Sequence, residues 1–276
     1  MKIKNILLNK YTLSVFILVV CLAADIIVHK GMSRVMLPEN FTNERTAKIY
    51  PMCEQPLFAG GKKWLKGINS IAQIQQLDSA VDGFEVDVYF DTIKNNLKVY
   101  HDSSAMSDVS LNDILSVYKR RNFSAPVWLD FKNLSGLNEK QSLKYIIALR
   151  QQYGLQNKMI IESSSPQFLQ SYCDSSFFTS YYVPLFNPYQ VSEKKLIVIL
   201  DSMSKLLSTY KVTSLSGYYF QYPVLKKYFP KYPLLTWIDK SSLSFIGRTF
   251  QNRVLSDDHV KVVLCQWHSF KATCKQ

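Results

Sequence analysis

The stretch Gly83–Ser104, GFEVDVYFDTIKNNLKVYHDSS, decides how the rest of the chain is read. Alternate residues of a strand share a face, so Val86 and Val88 point one way while Glu85, Asp87 and Tyr89 point the other. Two carboxylates side by side inside a strand repel each other and lose hydration unless a cation stands between them. The short run NLKVY follows, and His101 and Asp102 arrive directly after it.

Outward from this stretch, short β-branched or aromatic runs recur: PLFAG, GFEVDVYF, PVWLDFK, KMIIESS, FFTSYYVP, LSGYYFQY, YPLLTWI and VKVVLCQW. Between them lie segments with apolar residues at helical spacing, namely NSIAQIQQLDSA, LNEKQSLKYIIALRQQYG, SPQFLQSYC, SEKKLIVILDSMSKLLSTYK and PVLKKYF. Asn69 and Ser70, which open the first of these, are good helix-capping types. Strands alternating with helices predict a parallel sheet. Eight strands, none followed by a glycine-rich nucleotide loop, point to an α/β fold of the (β/α)8 TIM-barrel type rather than a doubly wound sheet.

The chain has 276 residues, 47% of them hydrophobic, which is enough for the core of one large domain. The formal net charge of +12 suits a polyanion, an anionic membrane surface or a phosphorylated substrate. The basic residues are scattered, and no helix-turn-helix, RNA-binding or zinc-finger pattern occurs, so nucleic acid is not an expected partner. At the N-terminus, basic MKIKNILLNK over 1–10 precedes the apolar run YTLSVFILVVCLAADIIVH over 11–29, interrupted by Asp25. A single transmembrane or signal-anchor helix is expected over 11–29, then a linker over 30–52 and the barrel domain over 53–276. Lys2, Lys4 and Lys10 on the short side predict that the bulk of the chain is extracytoplasmic, whether periplasmic or extracellular and luminal. In such a compartment the four cysteines beyond the apolar run (Cys53, Cys173, Cys265 and Cys274) can form one or two bridges, or remain buried thiols. Cys265 and Cys274 are close in sequence, and the pairing stays open.

A TIM-type barrel carries its chemistry at the C-terminal ends of its strands. The polar residues expected there are Glu85 and Asp87 on the second strand, Asp130 and Lys132 on the third, Glu162 on the fourth and Trp237 on the seventh, with His101 after NLKVY. Such a ring of carboxylates suits a hard divalent cation, Ca2+ or Mg2+. Lys132 alternates with Asp130 on one face, so it reaches the same site and can pair with a phosphate.

These residues carry a resemblance. GFEVDVYFDTIKNNLKVYHD resembles the signature of the glycerophosphodiester phosphodiesterases, a family of the phosphatidylinositol-phospholipase-C-like barrels, in which an E-x-D strand is followed at short range by a His-Asp pair. VWLDFKNL is similar to the family's next strand, normally E-x-K, and the N-S of GINSIAQIQQL stands where the family has an ENT helix start. The combination also resembles the divergent menorin branch. The likeness covers roughly Pro56 to Leu134, and beyond that it rests on strand order. It implies that Glu85, Asp87 and Asp130 hold the divalent cation, that His101 is a general acid or base, and that Lys132 contacts the phosphate; Glu162, placed by strand order alone, is expected to bind the substrate. One departure stands out. The family uses a second histidine at the end of its first strand, where PLFAGG places Phe58 and an alignment through Trp64 and Asn69 places Lys66. Of the other histidines, His268 follows the last strand and could approach the barrel mouth.

The expected function is a membrane-anchored, metal-dependent phosphoric diester hydrolase acting on a glycerophosphodiester, a lipid headgroup or a phosphodiester-linked glycan. An alternative is a barrel that keeps the metal and phosphate site without turnover and binds an anionic lipid or polymer. A third is a glycosidase using Glu85 and Glu162 as its carboxyl pair, which leaves the crowding of Glu85 with Asp87 unexplained.

Overall fold

The structure, a computed structural model, describes residues 10–28, 48, 50–57, 60–102, 104, 106–238 and 245–266. Its strands are β1 (Lys63–Lys66), β2 (Phe84–Asp91), β3 (Asn96–Val99), β4 (Val127–Phe131), β5 (Met159–Ser163), β6 (Phe178–Tyr182), β7 (Ser214–Tyr218), β8 (Leu234–Ile238) and β9 (Val260–Gln266). Its helices are α1 (Lys10–Val28), α2 (Ile71–Gln76), α3 (Leu111–Arg120), α4 (Glu139–Tyr153), α5 (Gln170–Asp174), α6 (Glu193–Thr209), α7 (Tyr222–Tyr228) and α8 (Phe245–Ser256). Neighbours run β1-β9-β8-β7-β6-β5-β4-β2-β3, and a further β1–β2 pairing closes the ring. The result is an eight-stranded parallel barrel of the TIM type, with β3 attached antiparallel to β2 outside the ring.

The alternation seen in the sequence sorts the side chains into two layers. Trp64, Trp128, Ile160, Phe178, Leu235, Trp237, Val262 and Leu264 fill the barrel's interior. Phe84, Val86, Val88, Leu129, Ile161 and Leu215 face outward, into a second core under the helices. Gly83 permits this packing at the start of β2, because a Cβ there would lie 2.3 Å from the Trp64 indole. Local signals set the helix ends. The Ser70 side chain accepts the Gln73 N–H to start α2, Ser110 and Asp113 form a reciprocal capping box on α3, and Gly154 ends α4 at φ +65°.

Three sequence expectations are corrected. The first barrel strand is KWLK, not PLFAG; residues Tyr50–Leu57 instead form a strap under the barrel. Tyr50, placed in the expected linker, is buried, packs 5.8 Å from the Phe229 ring and donates to Ser204 Oγ at 2.8 Å. The strap is tied down by a disulfide between Cys53 and Cys173, whereas Cys265 is buried and free. Cys274, near in sequence to Cys265, lies outside the described residues.

The third correction concerns the N-terminus. Among the described residues no helix is long and apolar enough to cross a membrane, so the transmembrane helix expected over 11–29 is not supported by the structure. The segment is nonetheless helical as α1, with Tyr11, Val15, Phe16 and Leu18 exposed. Asp25, the residue that interrupts the apolar run, accepts the Ile246 N–H at 3.0 Å in the first turn of α8. A carboxylate there satisfies an otherwise open helix N–H and matches the helix dipole.

Candidate metal and phosphate site

Parallel register brings the acidic residues together. Asp87 on β2 lies opposite Asp130 on β4, which lies opposite Glu162 on β5. Glu85 and Asp87 are almost wholly buried, and carboxylate oxygens of Glu85, Asp87 and Asp130 come within 4.8 Å of one another. Each is held by a neighbour. Gly67, which follows β1 at φ +73°, donates its N–H to Glu85 Oε2 at 2.6 Å; that backbone conformation is one glycine adopts readily. Asn69 grips Asp87 twice, donating Nδ2–H to Oδ2 at 2.6 Å and accepting the Asp87 N–H at 2.9 Å. Lys132 continues the β4 ladder by donating its N–H to the Val88 carbonyl at 3.0 Å. Its ammonium lies 2.7 Å from Asp87 Oδ1 and also pairs with Asp130.

The β2–β3 hairpin delivers His101 to the same carboxylate. His101 Nδ1 lies 3.2 Å from Asp87 Oδ2 while the imidazole is 61% exposed. Tyr89 and Tyr100 stack at 4.2 Å beneath it, and the Tyr89 hydroxyl donates to the His101 carbonyl. An imidazole with one nitrogen fixed by a carboxylate and a face open to solvent is arranged to exchange protons with a ligand.

Burial and mutual repulsion set the charges. Burial pushes the Glu85 carboxyl well above the usual range, and the charges of Asp87 and Asp130 push it the same way. Burial also raises Asp130 against the opposing pull of Lys132, and it raises Glu162 well above the usual range with help from the Asp130 charge. Burial would raise Asp87 too, but the Lys132 charge, hydrogen bonds from Lys132 and Asn69 and the nearby His101 hold it below the usual range. The carboxylates in turn raise the Lys132 ammonium despite its burial. The site therefore gathers more buried acid than the Lys132 ammonium can neutralise. An oxygen-donor set of this kind, with carboxyls that a cation would ionise, fits a divalent metal ion held by Glu85, Asp87 and Asp130.

Glu85, Asp87, Asp130, Lys132 and His101 thus gather at one end of the barrel, with Glu162 one strand along from the triad. Sequence reasoning missed Gly67 as the donor to Glu85 and read Asn69 as a cap; Ser70 does the capping, which frees Asn69 for Asp87. Lys66 ends β1 on the inward face shared with Trp64, and its Nζ lies 5.8 Å from the centre of the Trp237 ring. Phe58 and His268 lie outside the described residues.

No protein-family model and no curated protein matches the chain. Solved structures do resemble it. A protein of Silicibacter pomeroyi assigned as a glycerophosphoryl diester phosphodiesterase aligns at 11% identity and a TM-score of 0.52, over 76% of this chain and 91% of that one. A glycerophosphodiester phosphodiesterase of Parabacteroides distasonis aligns at 14% and 0.50, over 75% and 93%. A Galdieria sulphuraria protein assigned to the same activity aligns at 10% and 0.51, over 77% and 95%. At these identities the likeness is one of fold: the chain has the TIM-type barrel that these phosphodiesterase structures have.

Proposed function

We propose that the chain is a metal-dependent phosphoric diester hydrolase of the glycerophosphodiester phosphodiesterase type, attached to a membrane by its N-terminal helix and acting outside the cytoplasm. The observation that carries this reading is the convergence of Glu85 and Asp87 on β2 and Asp130 on β4 with His101 and Lys132. The fold likeness to phosphodiesterase structures supports it. A divalent cation at the triad would supply Lewis-acid polarisation of the phosphoryl oxygens. With Asp87 engaging Nδ1, His101 keeps Nε2 to take a proton from the attacking oxygen or give one to the leaving oxygen. Lys132, fixed between Asp87 and Asp130, offers its remaining N–H to a phosphate oxygen. The exposed apolar side chains of α1, preceded in the sequence by Lys2 and Lys4 and opening on Lys10, support attachment to lipid, and the Cys53–Cys173 bridge supports an oxidising compartment.

Lys132 already engages both Asp87 and Asp130, and Lys66 ends β1 where the family has a histidine. These two features favour a second reading, in which the barrel binds an anionic lipid or polymer without turnover. Alcohol release by the full chain in detergent, from a glycerophosphodiester and from bis(p-nitrophenyl) phosphate with Ca2+, Mg2+ or EDTA, decides between them. Turnover that needs metal and falls in His101→Ala supports the hydrolase. Metal-dependent binding of these diesters without turnover supports the second reading, and neither turnover nor binding refutes both.

A further inference from the structure

Outside α1, six large apolar side chains are well exposed among the described residues: Ile93, Met106, Leu137, Leu185, Val198 and Phe245. Single exposed apolar residues are ordinary on a protein surface; the distribution of these is not. Ile93 lies in the turn between β2 and β3, Leu137 between β4 and α4, Leu185 between β6 and α6, and Phe245 opens α8 after β8. All four therefore stand beyond the C-terminal ends of the barrel strands, on the side where His101 follows β3 and Lys132 follows β4. Met106 joins them, because β3 returns to that level: Val99 at its end pairs with Val88, and Val88 with Phe131 at the end of β4. Ile93 and Leu137 are 95% and 93% exposed, so neither packs on its own loop. Val198, on α6, lies elsewhere, and the turns leading into the strands at the opposite end carry no such residue among those described.

The helix α1 meets the barrel on the same side. Ile246 lies in the first turn of α8, after β8, and its N–H is the one that Asp25 accepts near the end of α1. Along α1 the consecutive residues Phe16, Ile17, Leu18, Val19 and Val20 are 49% to 62% exposed. Successive helical residues point about 100° apart, so this run leaves apolar side chains open all round the helix. A helix apolar on every side needs an apolar medium rather than one partner face. The five tips ask for the same, because they stand singly on separate segments, whereas a protein partner meets a continuous patch. Charge does not make the choice, since Lys94, Lys140, Lys194 and Lys195 share this rim with Glu139 and Glu193. We infer that the mouth of the barrel rests on the bilayer that holds α1, with Ile93, Met106, Leu137, Leu185 and Phe245 inserted at the lipid surface. The inference rests on the membrane attachment proposed above and adds the face that meets the lipid; it holds for the hydrolase and for the binding barrel alike.

Tryptophans placed on the rim test it, in the full chain reconstituted in phosphatidylcholine vesicles whose acyl chains carry bromine, a contact quencher of indole emission. Leu137→Trp and Leu185→Trp report from the mouth, and Gln156→Trp, exposed on the turn between α4 and β5, reports from the opposite end. Insertion by about 5–10 Å, as for other interfacial apolar groups, brings an indole to the brominated carbons, so the emission that each rim tryptophan adds to the wild type should fall about twofold or more relative to unbrominated vesicles. The emission added by Gln156→Trp should be the same in both. High salt should leave this contrast intact, because the insertion is apolar rather than electrostatic. Rim tryptophans quenched no more than Gln156→Trp, in vesicles that carry the protein through flotation, would overturn the seating and leave attachment by α1 standing. Failure of the full chain to float with the vesicles would overturn the attachment and the seating together. A dimer in detergent that Leu137→Asp/Leu185→Asp splits would assign the tips to a second copy of the chain instead.

Discussion

Replacing Lys132 with Met keeps much of the aliphatic stem and removes the one ammonium that engages both Asp87 and Asp130. Two carboxylates whose oxygens lie within 4.8 Å of each other repel by at least about 3 kcal/mol at an effective dielectric constant near 20. The protein can escape that repulsion by protonating Asp130, whose ordinary value is 3.8, at a cost of about 4 kcal/mol at pH 7. Lys132→Met should therefore destabilise the metal-free protein by about 3–4 kcal/mol at pH 7, in line with the loss usual when one partner of a buried pair is removed. For a domain of this size that lowers the Tm by about 6–16 °C. Circular-dichroism melts in EDTA measure it. Two treatments should relieve the deficit: millimolar Ca2+ or Mg2+, because a metal ion can take the ammonium's place, and pH 5, where protonating the carboxyl costs under about 2 kcal/mol. An unchanged Tm, or a loss that neither metal nor acid relieves, would refute this electrostatic reasoning.

Other outcomes follow from the same geometry. The Glu85 and Glu162 carboxyls are raised in the folded state, so their contribution to stability is fullest below the ordinary value of 4.5 and is lost as pH rises toward their folded values. In EDTA these two groups should lower the Tm as pH rises from about 4.5 toward neutrality, while the Tm gain from added Ca2+ should grow over that range, as melts at a series of pH values would show. Cys53→Ser/Cys173→Ser opens a loop spanning a sequence separation of 120 and should cost about 2–5 kcal/mol, read as a lower urea midpoint. Asn69→Ala should weaken Ca2+ binding about 10- to 100-fold by releasing Asp87, with little change in helix content because Ser70 caps α2.

The barrel was legible where strands were long enough to show a period. FEVDVYFD displays alternation over eight residues, and its carboxylates stand out against β-branched neighbours. KWLK was not legible: four residues with a lysine at each end show no pattern, and the apolar PLFAG nearby offered a better strand on composition alone. The helix α8 went unread although Ile246, Phe250 and Val254 are spaced to face the core. Its contact at the N-terminus comes from Asp25, a residue no local window contains. The site divided along the same line. Charged ligand candidates declare themselves in a strand, whereas Asn69 resembles an ordinary cap until the fold places it against Asp87. The Cys53–Cys173 pairing depends on a strap crossing the barrel floor, so sequence proximity pointed elsewhere.

The most direct measurement is a calorimetric titration of Ca2+ and Mg2+ into the full chain and into Glu85→Gln, Asp87→Asn and Asp130→Asn, with circular dichroism to show that each variant is folded. One equivalent of metal bound by the wild type, and lost or weakened at least tenfold in each folded variant, is the expected result. No binding by the wild type, or binding that all three substitutions leave unchanged, would contradict the assignment of Glu85, Asp87 and Asp130 as a metal site.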